Sequence, residues 1–237
     1  MLTGAFSAAT ASPASARVLK RLDFETGSLG QWTSVQEAGS DRIRVVPNPV
    51  RQGKYASRFI VKPGDHPVPG GERAELMYKS GERGGRTAWW RWSTFFPDTF
   101  HPNKGAWNVF TQWHQTLDKC VPPVRFLVEN YSKPARLRLD VWSGRLNKST
   151  CTPQYKHSWY LGKLVRNRWY TFVVKFKWSG RRSHGFVRVS VNGKTKVRKH
   201  IATLYRGMGV YPKQGFYRGP SSQTTTIFHD GMQRFRP

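Results

Sequence analysis

Apolar and polar residues alternate over many short runs bounded by Gly, Pro, Asn and Ser, the period-two pattern of half-buried antiparallel strands. Helical periodicity is nearly absent. The run Trp169 to Trp178 puts Tyr170, Phe172, Val174, Phe176 and Trp178 on one side, with Thr171, Val173, Lys175 and Lys177 on the other. This predicts a sheet with one dry face. Leu137, Leu139 and Val141 share a face in the same way, as do Val187, Val189 and Val191, after which Asn192-Gly193 supplies a hairpin turn. Comparable runs lie near 18–25, 41–46, 55–62, 72–78, 87–96, 106–115, 124–129, 135–142, 169–178, 185–191, 194–200, 214–218 and 225–235. They suffice for two packed sheets. Without a repeat of blade length, the expected fold is all-β, a jelly-roll sandwich of two antiparallel sheets with a concave groove.

The 237 residues change composition nowhere along the chain, so one sandwich domain over 17–237 is the economical division. The first sixteen residues are small and uncharged, and Ala14-Ser15-Ala16 has the A-x-A form of a signal-peptidase site. Lacking a basic n-region and a full apolar core, residues 1–16 read as the remnant of a secretion signal. The expected location is extracellular. No other stretch is long and apolar enough to span a membrane. Two cysteines, Cys120 and Cys151, fit an exported protein with one disulfide closing a loop of about thirty residues, which stabilises by roughly 3–4 kcal/mol in the chain-entropy model. Two separate thiols are the alternative. Neither cysteine sits in a C-x-x-C pair or beside histidines at ligand spacing, so no metal or cofactor is expected. A structural calcium is compatible with the sequence and not indicated by it.

Charge narrows the partner. With 40 Lys and Arg against 13 Asp and Glu, the formal charge is +27, spread from Arg17 to Arg236. Such a field draws in polyanions, whether nucleic acid, membrane surface or acidic glycan. The sequence has no helix-turn-helix, zinc-finger or RNP-type run, so nucleic acid is disfavoured. Charge alone names no chemistry, and the chain is expected to act as a monomer.

Three segments carry polar groups where a one-sided sheet does not need them. In Gly71-Glu72-Arg73-Ala74-Glu75-Leu76, alternation makes Arg73 and Glu75 neighbours on one face. They form either a solvated ion pair or an Arg held by Glu75 and aimed at a substrate carboxylate. In Asn108-Val109-Phe110-Thr111-Gln112-Trp113-His114, the side chains of Asn108, Gln112 and His114 are expected on one face, presenting amide and imidazole together. In Tyr211-Pro212-Lys213-Gln214-Gly215-Phe216-Tyr217-Arg218, Lys213, Gly215 and Tyr217 share a face, and the glycine leaves space between two polar side chains.

In this order, the pieces Arg73-Ala74-Glu75-Leu76, Gln112-Trp113-His114 and Lys213-Gln214-Gly215-Phe216-Tyr217-Arg218 resemble the motifs of the jelly-roll polysaccharide lyases. That group includes heparin lyase I-like and glucuronan lyases and, more distantly, alginate lyases. The resemblance runs from about Leu22 to Phe235. It implies that Tyr217 is the proton-transfer phenol, His114 its imidazole partner, and Gln112 and Arg73 the groups that neutralise a uronate carboxylate. It implies a further substrate contact at Lys213; Glu75, Asn108, Arg218 and Arg138 complete the expected binding set. His66, in Gly64-Asp65-His66-Pro67, occupies a region where glucuronan-lyase-like members carry their catalytic histidine, so His66 and His114 both stand as candidates.

The chemistry asks for these residue types. The hydrogen at C5 of a uronate is weakly acidic, and its removal drives negative charge onto the adjacent carboxylate. Arg and amide donors aimed at that carboxylate stabilise the enolate-like state. A base then takes the C5 proton while an acid protonates the departing O4, leaving a 4,5 double bond. A glycosidase normally needs two flanking carboxylates, and no strand presents a suitable acidic pair. Among Trp89, Trp90, Trp92, Trp107, Trp113 and Trp142, some are expected to stack on sugars and most to fill the core. The alternative function is a non-catalytic binding module for acidic polysaccharides.

Overall fold

The computed structural model describes residues 16–116, 120–131 and 134–237. Apart from Ala16, the expected leader lies outside the described residues. Two antiparallel sheets face each other. The first holds β1 (Arg17–Leu22), β3 (Ile43–Val46), β4 (Ala56–Val61), β7 (Thr87–Phe96), β12 (Arg168–Lys177), β13 (Phe186–Val191), β14 (Lys194–Lys199) and β16 (Thr225–Arg236). The second holds β2 (Ser34–Gln36), β5 (Glu72–Met77), β6 (Glu82–Arg83), β8 (Asn108–Gln115), β9 (Val124–Glu129), β10 (Arg136–Asn147), β11 (Thr152–Lys163) and β15 (Gly209–Arg218). Strand order is β14-β13-β12-β7-β16-β4-β3 in the first sheet, with β1 also on β16, and β11-β10-β9-β8-β15-β5-β2 in the second, with β6 on β15. Hairpin-linked runs such as β12-β13-β14 and β8-β9-β10-β11 alternate with long crossovers such as β7 to β16 and β8 to β15, as in a jelly roll.

The dry faces meet in an aromatic layer. Trp92 of β7 stacks on Phe172 at 5.0 Å between ring centroids and meets Phe126 of the opposite sheet edge-on at the same distance. Trp113 of β8 packs against Trp92 and against Phe176 of β12. Burying one such side chain is worth roughly 1.5–3 kcal/mol. The faces expected from alternation hold: Tyr170, Phe172, Val174, Phe176 and Trp178 are buried, as are Leu137, Leu139 and Val141. Asn192 and Gly193 join β13 to β14 with φ of 48° and 78°, the left-handed pair that a two-residue hairpin turn requires. Cys120 and Cys151 are disulfide-bonded, with Cα atoms 5.1 Å apart.

Three strands had no counterpart among the sequence runs. β2 and β6 span three and two residues. β11 is long and its burial alternates, but it is an edge strand whose inward face, Pro153, Tyr155, His157, Trp159 and Leu161, is fully buried only at its two ends and includes a polar His157, so it did not stand out as an apolar run.

Candidate active site

The second sheet turns its outer face to a cleft of about 700 Å³. Register decides which side chains meet there. Across β9, β8 and β15, Arg125 pairs with Gln112 and Gln112 with Lys213. On β5, Glu75 lies opposite Gly215 and Arg73 opposite Tyr217. Adjacent strands lie about 4.8 Å apart, so five residues expected at the site, Arg73, Gln112, His114, Lys213 and Tyr217, line one cleft.

Two backbone devices shape it. A bulge in β8 between Val109 and Thr111 breaks strict alternation. Phe110 therefore joins Trp113 in the core, while Gln112 and His114 line the cleft. Gly215 has a φ of 149°, and a Cβ there would meet the Ala74 carbonyl oxygen at 2.1 Å. The glycine is thus demanded by the β5 backbone as well as by the space between Lys213 and Tyr217.

Glu75 is the electrostatic centre. Its carboxylate accepts from Lys213 Nζ at 2.5 Å, Gln112 Nε2 at 2.5 Å and Arg73 at 3.4 Å. Burial pushes this carboxyl up, but the charges of Lys213 and Arg73 and the hydrogen bonds from Lys213 and Gln112 outweigh it and hold Glu75 below its ordinary range. Burial lowers Lys213, opposed by Glu75. Lys213 also donates to Gln36 Oε1 at 2.6 Å, so this ammonium is fixed in place. The ion pair read from the sequence is therefore buried, not solvated.

Tyr217 and His114 sit in different surroundings. The Arg73 guanidinium lies over the Tyr217 ring, 4.1 Å from its centroid, and Trp107 flanks the ring at 5.8 Å. Gly71 N–H points to the phenol oxygen at 3.5 Å. His114 lies opposite Tyr211 on β15 and stacks on it, with ring centroids 5.6 Å apart. The phenol beside the imidazole is therefore Tyr211; Tyr217 lies six residues along β15, toward the other end of the cleft. His114 Nδ1 lies 2.9 Å from the Gln115 carbonyl oxygen. A carbonyl only accepts, so Nδ1 carries the proton and Nε2 keeps its lone pair. Burial, aided by Lys213 and Arg73 and opposed by the Gln115 bond and Glu75, lowers the His114 pKa and favours the neutral ring.

Not every expected residue reaches the cleft. Asn108 is fully buried, holding the 103–106 loop through Asn103 and Ala106 and reaching the Val128 carbonyl oxygen. Arg218 is also fully buried and pairs with Glu72 at 2.8 Å and Thr225 at 2.6 Å, because alternation turns it inward when Tyr217 faces out. These two are structural contacts, not lining residues. Arg138 pairs with Asp140 at 2.9 Å and does not line the cleft. His66 is exposed on the loop that leads to Pro69 and Gly70 at the cleft edge, and it is not part of the lining.

Sequence reasoning missed Tyr211 and Arg125. Arg125 lines the cleft, donates to Asp140 at 2.8 Å and covers Trp142 at 4.3 Å, and its buried Nε–H has no partner among the described residues. Its only sequence signal was a charge between the core residues Val124 and Phe126. Of the tryptophans considered, Trp90, Trp92 and Trp113 are core, and Trp107 is at the cleft.

The cleft of this two-sheet sandwich gathers phenols, an imidazole and cations, groups that can move a proton beside a bound anionic group. The polysaccharide lyase family model matches residues 24–233, and the chain belongs to that family; it is a polysaccharide lyase. Its structure is similar to an endo-β-1,4-glucuronan lyase from the fungus Trichoderma reesei, with a TM-score of 0.74 at 14% identity, covering 95% of this chain and 96% of that one. It is also similar to an alginate lyase from Pseudomonas aeruginosa, with a TM-score of 0.60 at 18% identity over 84% and 87% of the two chains. A Chlorella virus alginate lyase gives a TM-score of 0.58 at 14% identity, over 93% and 100%. No curated protein sequence matches the chain.

Proposed function

We propose that the chain cleaves a 4-O-linked uronic-acid polysaccharide by β-elimination, with glucuronan the first candidate, and acts outside the cell as a monomer. The observation that carries this reading is the cleft itself, where Lys213 and Arg73 engage Glu75, a carboxylate thereby committed to the protein's own cations, and Arg125 lines the same cleft on the far side of Gln112. With Glu75 so engaged, the cleft supplies donors for a substrate carboxylate and, among the described residues, no free acidic pair for hydrolysis. The glucuronan lyase likeness supports the choice of polymer, and the charge of +27 supports an anionic one.

In the proposed reaction, Arg73 and Arg125 grip the uronate carboxylate and strengthen their hold as charge moves onto it. A base removes the C5 proton, electrons form the 4,5 double bond, and the C4–O4 bond breaks as O4 takes a proton. Tyr217, packed under Arg73, is the proposed proton-transfer phenol. A second assignment is favoured by the His114–Tyr211 stack, in which a neutral imidazole with a free Nε2 lone pair adjoins another phenol.

The test is a panel of glucuronan, alginate, heparin-like and neutral glycans, read by the ultraviolet absorbance of the unsaturated product. Absorbance should rise with one or more uronans and never with a neutral glycan. Binding to uronans with no unsaturated product from any would leave a carbohydrate-binding module instead.

A further inference from the structure

From Val141 to His229 the sequence contains no Asp or Glu, while Lys and Arg continue throughout. The fold gathers much of this stretch onto the outer face of the first sheet, away from the cleft. Strands β7, β12, β13 and β14 carry no carboxylate at all. Their registers align Arg198 with Arg188, Arg188 with Lys175, and Lys175 with Trp89. The residues between them, Val187, Val189, Val174 and Phe176, are core, so this row faces outward. Three cations thus stand directly opposite one another across three strands, and no ion pair engages any of them among the described residues. Like charges directly opposite on a sheet destabilise it. A bound polyanion relieves that repulsion.

We propose that this face is a second, non-catalytic binding surface for acidic polysaccharide, which holds a long chain while another stretch of it occupies the cleft. The choice of polymer rests on the lyase reading above; the cationic face does not. Nucleic acid fits less well, because base stacking needs open aromatic faces. Here Lys175 lies over the Trp89 ring at 5.1 Å and Arg91 over the Phe235 ring at 5.9 Å, so the rings are already covered by cations. The face offers charge, the currency of a carboxylated glycan.

The experiment uses full-length protein carrying Tyr217→Phe and Tyr211→Phe, to keep the polymer intact, on immobilised glucuronan in a salt gradient. Adding Lys175→Glu, Arg188→Glu and Arg198→Glu should weaken binding on the order of tenfold or more at low salt and flatten its salt dependence. A control with the same charge change at exposed Lys54, Lys148 and Arg166 should elute later than that variant. A milder Gln triple at 175, 188 and 198 should shift in the same direction. In the otherwise unaltered enzyme, the Glu triple should turn over short oligouronides normally, which also reports on folding. Co-elution of the Gln and Glu triples with the control would reduce the effect to bulk charge and overturn the proposal. Tighter binding of single-stranded DNA than of glucuronan, lost in the Glu triple, would overturn it in favour of nucleic acid. Residual turnover in the doubly substituted background would instead count against the proton-transfer assignment alone.

Discussion

Tyr217 and Tyr211 line one cleft, yet one lies under a guanidinium and the other against an imidazole, so removing each hydroxyl separates their roles. Tyr217→Phe keeps the ring packed against Arg73 and Trp107; turnover of uronan should fall about a hundredfold or more while binding persists, the usual scale for losing a positioned acid or base. If the loss appears with Tyr211→Phe instead, the proton passes at the His114 end. Replacing His114 and His66 by Ala in parallel should abolish turnover only for the former, as measured by initial rates. The lowered His114 pKa sets a pH dependence: a base must be unprotonated, so the acidic limb of kcat/KM should lie below the ordinary 6.5. A limb at or above 6.5 would exclude His114 as the base. The motif residues were legible because each is polar on a strand that needs no polar group there. Tyr211 and Arg125 were not, since their places depend on which strands pair.

Strand β15 does the most to assemble the site, and it is held from behind. His229, on β16 of the first sheet, lies between Thr94 Oγ1 at 3.0 Å and the Gly215 carbonyl oxygen at 3.1 Å, donating Nε2–H to the latter. Gly215→Ala forces a Cβ against the β5 backbone. It should destabilise the protein and depress turnover together, as read by thermal melting and initial rates, with the Tyr217 and Lys213 flanks displaced in register. At this scale the sequence revealed strands with a fully buried apolar face and hid those whose inward face is short or only half-buried. β12 could be read residue by residue because every second side chain is core, whereas β11 is an edge strand whose residues meet water on most positions. The expected single face for Asn108, Gln112 and His114 failed at Asn108 because a bulge adds a residue to β8, and local alternation carries no trace of pairing defects.

Across the whole molecule, two buried groups tune stability in opposite directions. Burial drives His229 down to about 3, so its neutral form contributes stability that is present above its ordinary 6.5 and is lost as pH falls toward 3. Glu82 is raised by burial to about 7, partly offset by Arg234 and by the Trp90 indole N–H at 2.9 Å. Its stabilising contribution is present below 4.5 and lost as pH rises toward 7. The Tm difference between Glu82→Gln and the parent should therefore grow more favourable to the variant from pH about 4 to about 8. A difference independent of pH would mean that Glu82 titrates as it does in the unfolded chain. The carboxylate-free stretch from Val141 to His229 also bears on how the enzyme searches for bonds. Proteins held to a polyanion by diffuse charge can slide and hop along it, so at low ionic strength successive cuts should cluster on one chain and release short products early. At high ionic strength the same enzyme should visit chains at random, and the mean polymer length should fall before short products accumulate.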